Sequence, residues 1–267
     1  MQKTVSVIIP AFNEAQNLPA LLAQVHEAFD ALNNCLYECI VVNDASTDDT
    51  DRTLRELAST YPALRYVRMT RNSGQSAALL AGMRRSVGDY LITLDADLQN
   101  DPHDIPILVA ALEHADCVCG YRASRQDTSF KRLTSFLGNR VRRWIVDDGV
   151  RDAGCGIKGF RRTCLEHIVP FHGVHRFFAA MARNGGLTVV EVPVNHRPRI
   201  HGTSKYGFLN RVFWVLYDFF GVAWLRKRYL ILMCEEEILN QPLGRATRQA
   251  GAAPSCAPVK TGDISIE

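Results

Sequence analysis

Short apolar runs rich in valine, isoleucine and leucine alternate with amphipathic segments along about the first 121 residues. A short apolar run indicates a strand buried on both faces, whereas apolar residues three and four apart indicate a helix. The predicted strands cover residues 5–9, 37–43, 64–69, 90–94 and 116–120, and the predicted helices cover 15–32, 48–59, 75–85 and 105–113. This order predicts right-handed crossovers and an α/β fold with a mainly parallel sheet flanked by helices.

A polar segment directly follows each of four predicted strands. These segments are PAFNE at 10–14, NDAS at 43–46, RNSG at 71–74 and DAD at 95–97. In open α/β sheets the binding crevice lies beyond the carboxyl ends of the strands. We therefore expect the functional residues to meet on that one edge of the sheet.

Asp95, Asp97 and Gln99 occupy every second position after the run 90–94. Carboxylates this close repel each other, which raises their pKa values unless a cation lies between them. A hard divalent ion, Mg²⁺ or Mn²⁺, meets that need and usually keeps places for substrate phosphate oxygens. The alternative is a solvated loop whose aspartates cap a helix. The polar ends of the other strands favour the metal site.

Composition limits the classes of protein that remain. The chain has 267 residues, and its 47% apolar content supports a full core and excludes a disordered protein. Its net charge of +3 is a weak argument for an anionic partner, and we expect no nucleic acid to bind. Basic residues are nevertheless concentrated in one region, namely Arg122, Arg125, Lys131, Arg132, Arg140, Arg142 and Arg143.

The cysteines and the N-terminus bear on the compartment. The eight cysteines are scattered without zinc-ribbon spacing, and most lie in apolar runs where a thiol acts as a small core residue. The chain begins almost at once with a predicted strand and lacks the layout of a signal peptide. These features predict a reduced, cytoplasmic setting.

The last part of the chain predicts contact with a membrane. The segment VFWVLYDFFGVAWL at 212–225 is shorter than the roughly 20 residues that span a bilayer. An amphipathic helix in the plane of the interface fits its aromatic residues and the following RKR, with a helix over 130–146 as a partner surface. The alternative is a core helix that packs on the sheet. We expect a catalytic domain over 1–206, interfacial helices over 207–233 and a disordered tail over 234–267.

Several motifs, in order, are similar to those of family 2 glycosyltransferases. They are VSVIIPAFNEAQNL, IVVNDASTDDT, RNSGQSAALLAGMRRSVGDYLITLDADLQNDP, GCGIKGFRR and PRIHGTSKY, and the likeness covers about residues 3–230. The chain most resembles the branch that contains dolichyl-phosphate mannosyltransferase and bacterial polyprenyl-phosphate glycosyltransferases. This resemblance implies a GT-A fold, a nucleotide-sugar donor held through a divalent metal, and inversion at the anomeric carbon.

The resemblance also implies roles on the donor side. The residues that would line the base and ribose are Pro10, Phe12 and Glu14, with Asp44 reading the base; Asp95, Asp97 and Gln99 would hold the metal and diphosphate. The alternatives to these binding roles are that Pro10 only ends a strand and that Phe12 is an aromatic residue of the core. The family usually has two acids and then Gly-Ser where this chain has NDAS, which leaves the identity of the base open.

A phosphate acceptor differs from a hydroxyl acceptor in needing no general base, because its second pKa is about 6. It needs positioning and neutralisation instead, which arginine and lysine supply. By resemblance the acceptor phosphate would be held by Arg122, Lys131 or Arg132, Arg199, Ser204 and Lys205, the last three on a mobile loop. Asp152 would act as a base, or more readily orient its loop or pair with an arginine. The QxxRW signature of the processive members lacks its glutamine in RVRRW at 140–144.

The sequence therefore predicts a metal-dependent inverting transferase that moves a hexose from GDP-mannose or UDP-glucose to a polyprenyl phosphate. It would lie peripherally on the inner, cytoplasmic face of the membrane, with a separate membrane subunit or a homo-oligomer as further partners. A soluble transferase acting on a sugar or protein hydroxyl is the first alternative. A silent nucleotide-sugar sensor or a docking scaffold is the second.

Overall fold

The computed structural model describes residues 3–32, 35–122, 142, 145–146, 148–198 and 208–229, with backbone alone over 208–216. Its strands are β1 (Lys3–Ala11), β2 (Cys35–Asn43), β3 (Leu64–Arg68), β4 (Tyr90–Thr93), β5 (Cys117–Arg122), β6 (Lys158–Arg161) and β7 (Val189–Val194). Its helices are α1 (Leu18–Asp30), α2 (Thr50–Thr60), α3 (Gln75–Arg85), α4 (Ile105–Ala111), α5 (Phe178–Asn184) and α6 (Phe208–Arg228). Short 3₁₀ turns lie at Pro102–Asp104, Arg162–His167 and Val174–Arg176.

The strands form a seven-stranded sheet in the order β3-β2-β1-β4-β6-β5-β7. All pairings are parallel except those of β6, which runs antiparallel to both β4 and β5. The predicted α/β fold with a mainly parallel sheet is confirmed. The predicted elements of the first half are all present, with ends that move by up to three residues. The carboxyl ends of β1, β2 and β4 meet at one edge, as expected for neighbouring parallel strands.

Apolar cores lie on both faces of the sheet. On one face α1 buries Leu18, Leu21, Leu22, Val25 and Phe29, whose spacing of three and four gives the helix a single apolar stripe. On the other face α3, α5 and α6 pack over β4, β5 and β6 through a second cluster. Because both faces are covered, the strands read as continuous apolar runs rather than as an alternating pattern.

Helix α6 has one face in the core and an opposite face that exposes aromatic side chains. Phe219 and Val222 are buried in the second core cluster, and the Phe219 ring meets Phe177 edge to face at 5.9 Å between centroids. Tyr217, Phe220 and Trp224 are 67%, 67% and 64% exposed and share the opposite face. Among the described residues, no helix combines the length and apolar character needed to cross a bilayer.

The predicted partner helix over 130–146 falls mostly outside the described residues. Arg142 and Val146, which are described, have buried side chains, and the surface role of the segment stays a prediction. Arg142 Nη1 lies 3.2 Å from Asp148 Oδ2, and its Nη2 donates to the Val150 carbonyl at 2.5 Å. Burial raises the pKa of Asp148, although Arg142 opposes the shift. Arg142 is therefore part of an internal ion pair.

Replacing Asp148 with alanine should cost about 3–5 kcal/mol in the free energy of unfolding, because it removes a buried carboxylate that lies 3.2 Å from the buried Arg142 guanidinium. Urea denaturation of the two proteins measures the loss. Asp49→Ala is the matched control, since Asp49 pairs with Arg52 at 3.4 Å where both side chains are more than 60% exposed. Such a pair contributes less than about 1 kcal/mol. Equal losses in the two variants would contradict the internal pair.

Candidate active site

A cleft of about 460 Å³ opens at the carboxyl ends of β1, β2, β4 and β5. The predicted site residues that line it are Pro10, Phe12, Glu14, Asp44, Asp95, Asp97, Gln99 and Arg122. Asp152 contacts Arg122 at its margin. Lys131, Arg132, Arg199, Ser204 and Lys205 lie outside the described residues. The structure thus brings the predicted donor residues together in one place.

Asn13 joins the loops that follow β1 and β2. Its side-chain oxygen accepts from the Thr47 N–H at 2.8 Å, and its own N–H donates to Ser46 Oγ at 2.9 Å. Asn13 has a φ of 56°, a left-handed conformation that asparagine tolerates better than most residues. These bonds fix the loop that presents Phe12 and Glu14 to the cleft.

Asp44 is buried and holds the loop after β3. Its Oδ1 accepts from the Ser73 N–H and its Oδ2 from the Gly74 N–H, each at 2.7 Å. This role could not be predicted, because the two partners of Asp44 are about thirty residues away in the sequence. Ala45 follows with a φ of 56°, at the position where the family resemblance implies a glycine. An alanine in this region costs roughly 1–2 kcal/mol relative to the right-handed conformation.

Asp95 lies deepest in the acidic motif. Its Oδ1 accepts from Gln75 Nε2 at 2.8 Å, and its Oδ2 lies 3.4 Å from Asn100 Nδ2. Burial, and next the charge of Asp97, raise the pKa of Asp95. The repulsion from Asp97 was expected from the sequence, but burial is the larger cause of the raised pKa. A cation close to Asp95 would stabilise the ionised carboxylate and lower its pKa.

The alternation along residues 95–99 aims the polar side chains into the cleft. Ala96 and Leu98 are 4% and 3% exposed and belong to the first core cluster, whereas Asp95, Asp97 and Gln99 are half-buried and line the cleft. Asp97 Oδ1 accepts from the Gln99 N–H at 3.2 Å. Leu98 has a φ of 60°, which for a leucine costs of order 1–3 kcal/mol.

This donor set fits a hard divalent ion. Two carboxylates and one amide oxygen supply ligands of the type that Mg²⁺ and Mn²⁺ prefer. Among the described residues no group of three or more His, Cys, Asp or Glu could hold a metal alone. Mg²⁺ in proteins usually keeps coordination places for phosphate oxygens and water.

The raised pKa of Asp95 predicts a pH-dependent effect of metal on stability. The folded protein keeps a proton on Asp95 that the unfolded chain releases near 3.8, so metal-free stability falls as pH rises from there through the raised pKa. If Mn²⁺ binds at Asp95 it would bind the carboxylate form, so its stabilising effect should be full above the raised pKa and fade below it. Thermal unfolding at several pH values, with Mn²⁺ or with EDTA, measures this. A shift with Mn²⁺ that is the same at every pH, or unchanged in Asp95→Asn, would contradict it.

Arg122 and Asp152 form a two-bond ion pair beside the cleft. Arg122 Nε donates to Asp152 Oδ2 at 2.6 Å, and Nη2 donates to Oδ1 at 2.8 Å. The side chains are 17% and 12% exposed. Asp152 therefore pairs with an arginine, which was one of the interpretations of its sequence position. Both of its oxygens are engaged, which suits a role in orientation better than one as a general base.

The residues that line the cleft but were not predicted include Gln75, Lys158, His175 and Arg176. Lys158 is 4% exposed, and its ammonium donates to the Cys155 carbonyl. The signal that could have revealed it is a lysine within the otherwise apolar segment CGIKGF at 155–160. His175 Nδ1 lies 2.7 Å from Ser76 Oγ, which also accepts from the Gly173 N–H at 3.0 Å. These contacts join α3 to the turn Val174–Arg176 on the far side of the cleft.

Solved structures with similar folds are glycosyltransferases. Glucosyl-3-phosphoglycerate synthase from Mycobacterium tuberculosis, in complex with Mg²⁺ and UDP, has a TM-score of 0.63 and 21% identity, with 82% of this chain and 80% of that chain covered. A mannosyltransferase from Pyrobaculum calidifontis, in complex with GDP-Man and Mn²⁺, has a TM-score of 0.55 and 22% identity, with 72% and 55% covered. At these identities the likeness shows the fold, and it confirms the expected GT-A type.

Sequence relatives are closer. An undecaprenyl-phosphate 4-deoxy-4-formamido-L-arabinose transferase from Klebsiella pneumoniae is 38% identical over 218 residues, which cover 81% of this chain and 66% of the relative. The protein of the same name from Aeromonas hydrophila is 38% identical over 212 residues, covering 79% and 65%. The chain thus spans just under two thirds of the length of these curated relatives. Their names place them in the polyprenyl-phosphate branch that the motifs predicted.

The family itself is decided by a direct match to its sequence pattern. Residues 6–169 match the family described as glycosyl transferase family 2. This range contains the loops after β1, β2 and β4, and therefore all the predicted donor residues. Because the match extends over more than half of the 267 residues, we conclude that the protein is a member of glycosyl transferase family 2.

Proposed function

We propose that the protein is a metal-dependent inverting transferase that moves a sugar from a nucleotide donor to a polyprenyl phosphate. One observation carries the proposal: Asp95, Asp97 and Gln99 line a single cleft of about 460 Å³ in a family 2 chain. The names of the relatives support the acceptor, since each is an undecaprenyl-phosphate transferase.

On the donor side, Pro10, Phe12, Glu14 and Asp44 would bind the nucleoside. Asp95, Asp97 and Gln99 would hold Mg²⁺ or Mn²⁺. The bound ion would neutralise the negative charge of the leaving diphosphate. Lys158 lines the same cleft and adds a fixed positive charge. Because these groups are held by the core and by loop hydrogen bonds, they need little reorganisation as charge develops.

On the acceptor side, the phosphate would attack the face of the sugar opposite the diphosphate, which inverts the anomeric centre. A phosphate monoester is already largely anionic near neutral pH, so the attack needs no proton acceptor. The pairing of Asp152 with Arg122 favours this acceptor over a hydroxyl. Arg122, Lys131 or Arg132, Arg199, Ser204 and Lys205 are the residues we propose for holding the phosphate.

The exposed face of α6 would bind the inner membrane surface, where polyprenyl phosphates are found. Tyr217, Phe220 and Trp224 form its apolar stripe, and Arg226, Lys227 and Arg228 follow in the last turn. Aromatic rings suit the headgroup boundary, and cations there attract anionic lipid. The protein would then be peripheral, on the cytoplasmic side.

The membrane proposal predicts a loss of vesicle binding when Phe220 and Trp224 are both replaced by serine. Full burial of an apolar side chain is worth about 1.5–3 kcal/mol, so partition should fall at least about tenfold. Sedimentation with vesicles that contain phosphatidylglycerol measures this. Val87→Ser is the control, because Val87 is 74% exposed but follows α3, far from α6 in the sequence. Equal vesicle binding by the wild type, the double variant and Val87→Ser would contradict the proposed membrane contact.

A transfer assay tests the proposed reaction. Purified protein with Mn²⁺ and a short polyprenyl phosphate is incubated with radiolabelled GDP-mannose, UDP-glucose or a nucleotide-linked 4-deoxy-4-formamido-L-arabinose. We expect label from one donor to partition into organic solvent, and expect EDTA to prevent it. Transfer only to a sugar or protein hydroxyl, with complete loss in Asp152→Asn, would favour the alternative acceptor. No transfer to any acceptor would contradict the proposed function.

A further inference from the structure

Residues 195–197, which follow β7, run directly against residues 99–104 of the acidic loop. The Asn195 N–H donates to Asp104 Oδ2 at 2.7 Å, and its side-chain amide donates to Oδ1 at 2.8 Å. Asn100 and His196 form an antiparallel bridge. The Arg197 N–H donates to the carbonyl of Gln99 at 2.9 Å. Two segments almost one hundred residues apart are therefore joined by both backbone and side chains.

The Arg197 side chain continues this connection to α1. Its Nη2 lies 2.5 Å from Asp101 Oδ2, and its Nη1 donates to Gln24 Oε1 at 2.7 Å. Asp101 also accepts from the His103 N–H at 3.0 Å and so begins the 3₁₀ turn. Burial opposes ionisation of Asp101, but the bonds from His103 and the charge of Arg197 hold its pKa below the usual value. The side chains of Arg197 and Asp101 are 34% and 13% exposed, so water screens the pair only in part.

The acidic loop needs an external support of this kind. Leu98 is held in a left-handed conformation that a leucine rarely adopts, directly between Asp97 and Gln99. Strained residues persist only where the surrounding structure determines their conformation. The core holds the Leu98 side chain, and Arg197 holds the carbonyl of the next residue. Asp104 is 8% exposed, and burial raises its pKa, so its bonds to Asn195 offset a real cost of desolvation.

We propose that Asp101, Asp104, Asn195 and Arg197 form a brace that positions Asp97 and Gln99 for the metal and diphosphate. These four act through the loop, as positioning residues. Outer-shell partners of this type commonly alter metal affinity by about 10–100-fold when they are replaced. The part of the proposal that concerns the metal rests on the proposed function, whereas the support of the loop does not.

Hydrogen exchange tests the support of the loop in metal-free protein. Asp101→Asn keeps an oxygen for the His103 N–H and removes the charge that faces Arg197. Arg197→Gln removes the other partner. In both variants we expect the exchange rate of the Asn195 amide to rise about tenfold or more. In Asp101→Asn we expect the same rise for the Arg197 amide. Arg65→Gln is the matched control, because Arg65 pairs with Glu38 at the far end of the sheet with exposures of 44% and 12%. Unchanged exchange in the brace variants, or an equal rise in the control, would overturn the proposal.

Mn²⁺ affinity in the presence of UDP or GDP separates positioning from stability. We expect the dissociation constant for Mn²⁺ to rise about tenfold in Asp101→Asn and Arg197→Gln but not in Arg65→Gln. The double variant should lose no more than either single variant, since the two residues act as a pair. Equal affinity in all variants, with binding intact in the wild type, would overturn the brace alone. Absence of any Mn²⁺ binding in the wild type would instead contradict the proposed function.

Discussion

Asp97→Asn is expected to lower kcat/KM for sugar transfer by at least about 100-fold. The change keeps the shape of the side chain but removes half of the negative charge that Asp95 and Asp97 bring to the cleft. Loss of a preorganised group that stabilises developing charge typically costs about 10²–10³-fold, and here the neutralisation of the leaving diphosphate would be lost as well. Initial rates at several Mn²⁺ concentrations, in wild type and variant, measure the effect.

Asp49→Asn serves as the control for Asp97→Asn. Asp49 also follows a strand, but its side chain is 67% exposed and pairs with Arg52 on the surface of α2. The same change of charge should leave kcat/KM within about twofold, because exposed charges are well screened. Wild-type activity for Asp97→Asn, or activity of the wild type in excess EDTA, would contradict the metal role.

Gly156→Ala is expected to lower activity by about 100-fold through displacement of Asp95. A Cβ at residue 156 would lie 1.9 Å from Asp95 Oδ2 and 2.8 Å from Asn100 Nδ2. The Asp95 carboxylate must therefore move by more than 1 Å to reach an ordinary contact distance. Misplacement of a reacting group by about 1 Å can cost 10²-fold, and overpacking should also reduce stability by about 1–3 kcal/mol.

Gly154→Ala is the matched control in the same loop. Its Cβ would meet its nearest neighbours, Arg122 Nη2 and Asp152 Oδ1, at 3.6 Å, which is ordinary van der Waals contact. We expect nearly wild-type kcat and Mn²⁺ affinity for this variant. Transfer rates and Mn²⁺ titrations on both variants distinguish a displaced Asp95 from a general effect of alanine in the loop. Equal effects in both variants would contradict the role assigned to Gly156.

Much of the fold and of the donor site could be predicted because the signals are local. The apolar run before Asp95 and the alternation through Gln99 are visible in a dozen consecutive residues, and the parallel sheet brings the strand ends together. Strand β6 could not be predicted in this way, because it enters the sheet antiparallel between β4 and β5 after a long excursion. Lys158 reaches the cleft on that strand and was therefore missed.

The features that could not be predicted depend on contacts between segments that are distant in the sequence. The bonds from Asp44 to Ser73 and Gly74, and the pair between Asp101 and Arg197, join residues whose proximity follows only from the assembled fold. Ala45 shows the opposite case, because its departure from the family pattern was visible in the sequence. The structure places Ala45 in a left-handed conformation that glycine would occupy with less strain. Helix α6 was ambiguous because its sequence serves both a core face and an exposed face.

Calorimetric titration of Mn²⁺ into the protein, with UDP or GDP present, measures whether the acidic residues after β4 hold a metal ion. If Asp95, Asp97 and the nucleotide diphosphate together bind the metal, one Mn²⁺ per chain should bind in the wild type, and binding should be lost in Asp95→Asn and Asp97→Asn. Unchanged Mn²⁺ binding in both variants, or no Mn²⁺ binding by the wild type with either nucleotide, would contradict a metal site at Asp95 and Asp97.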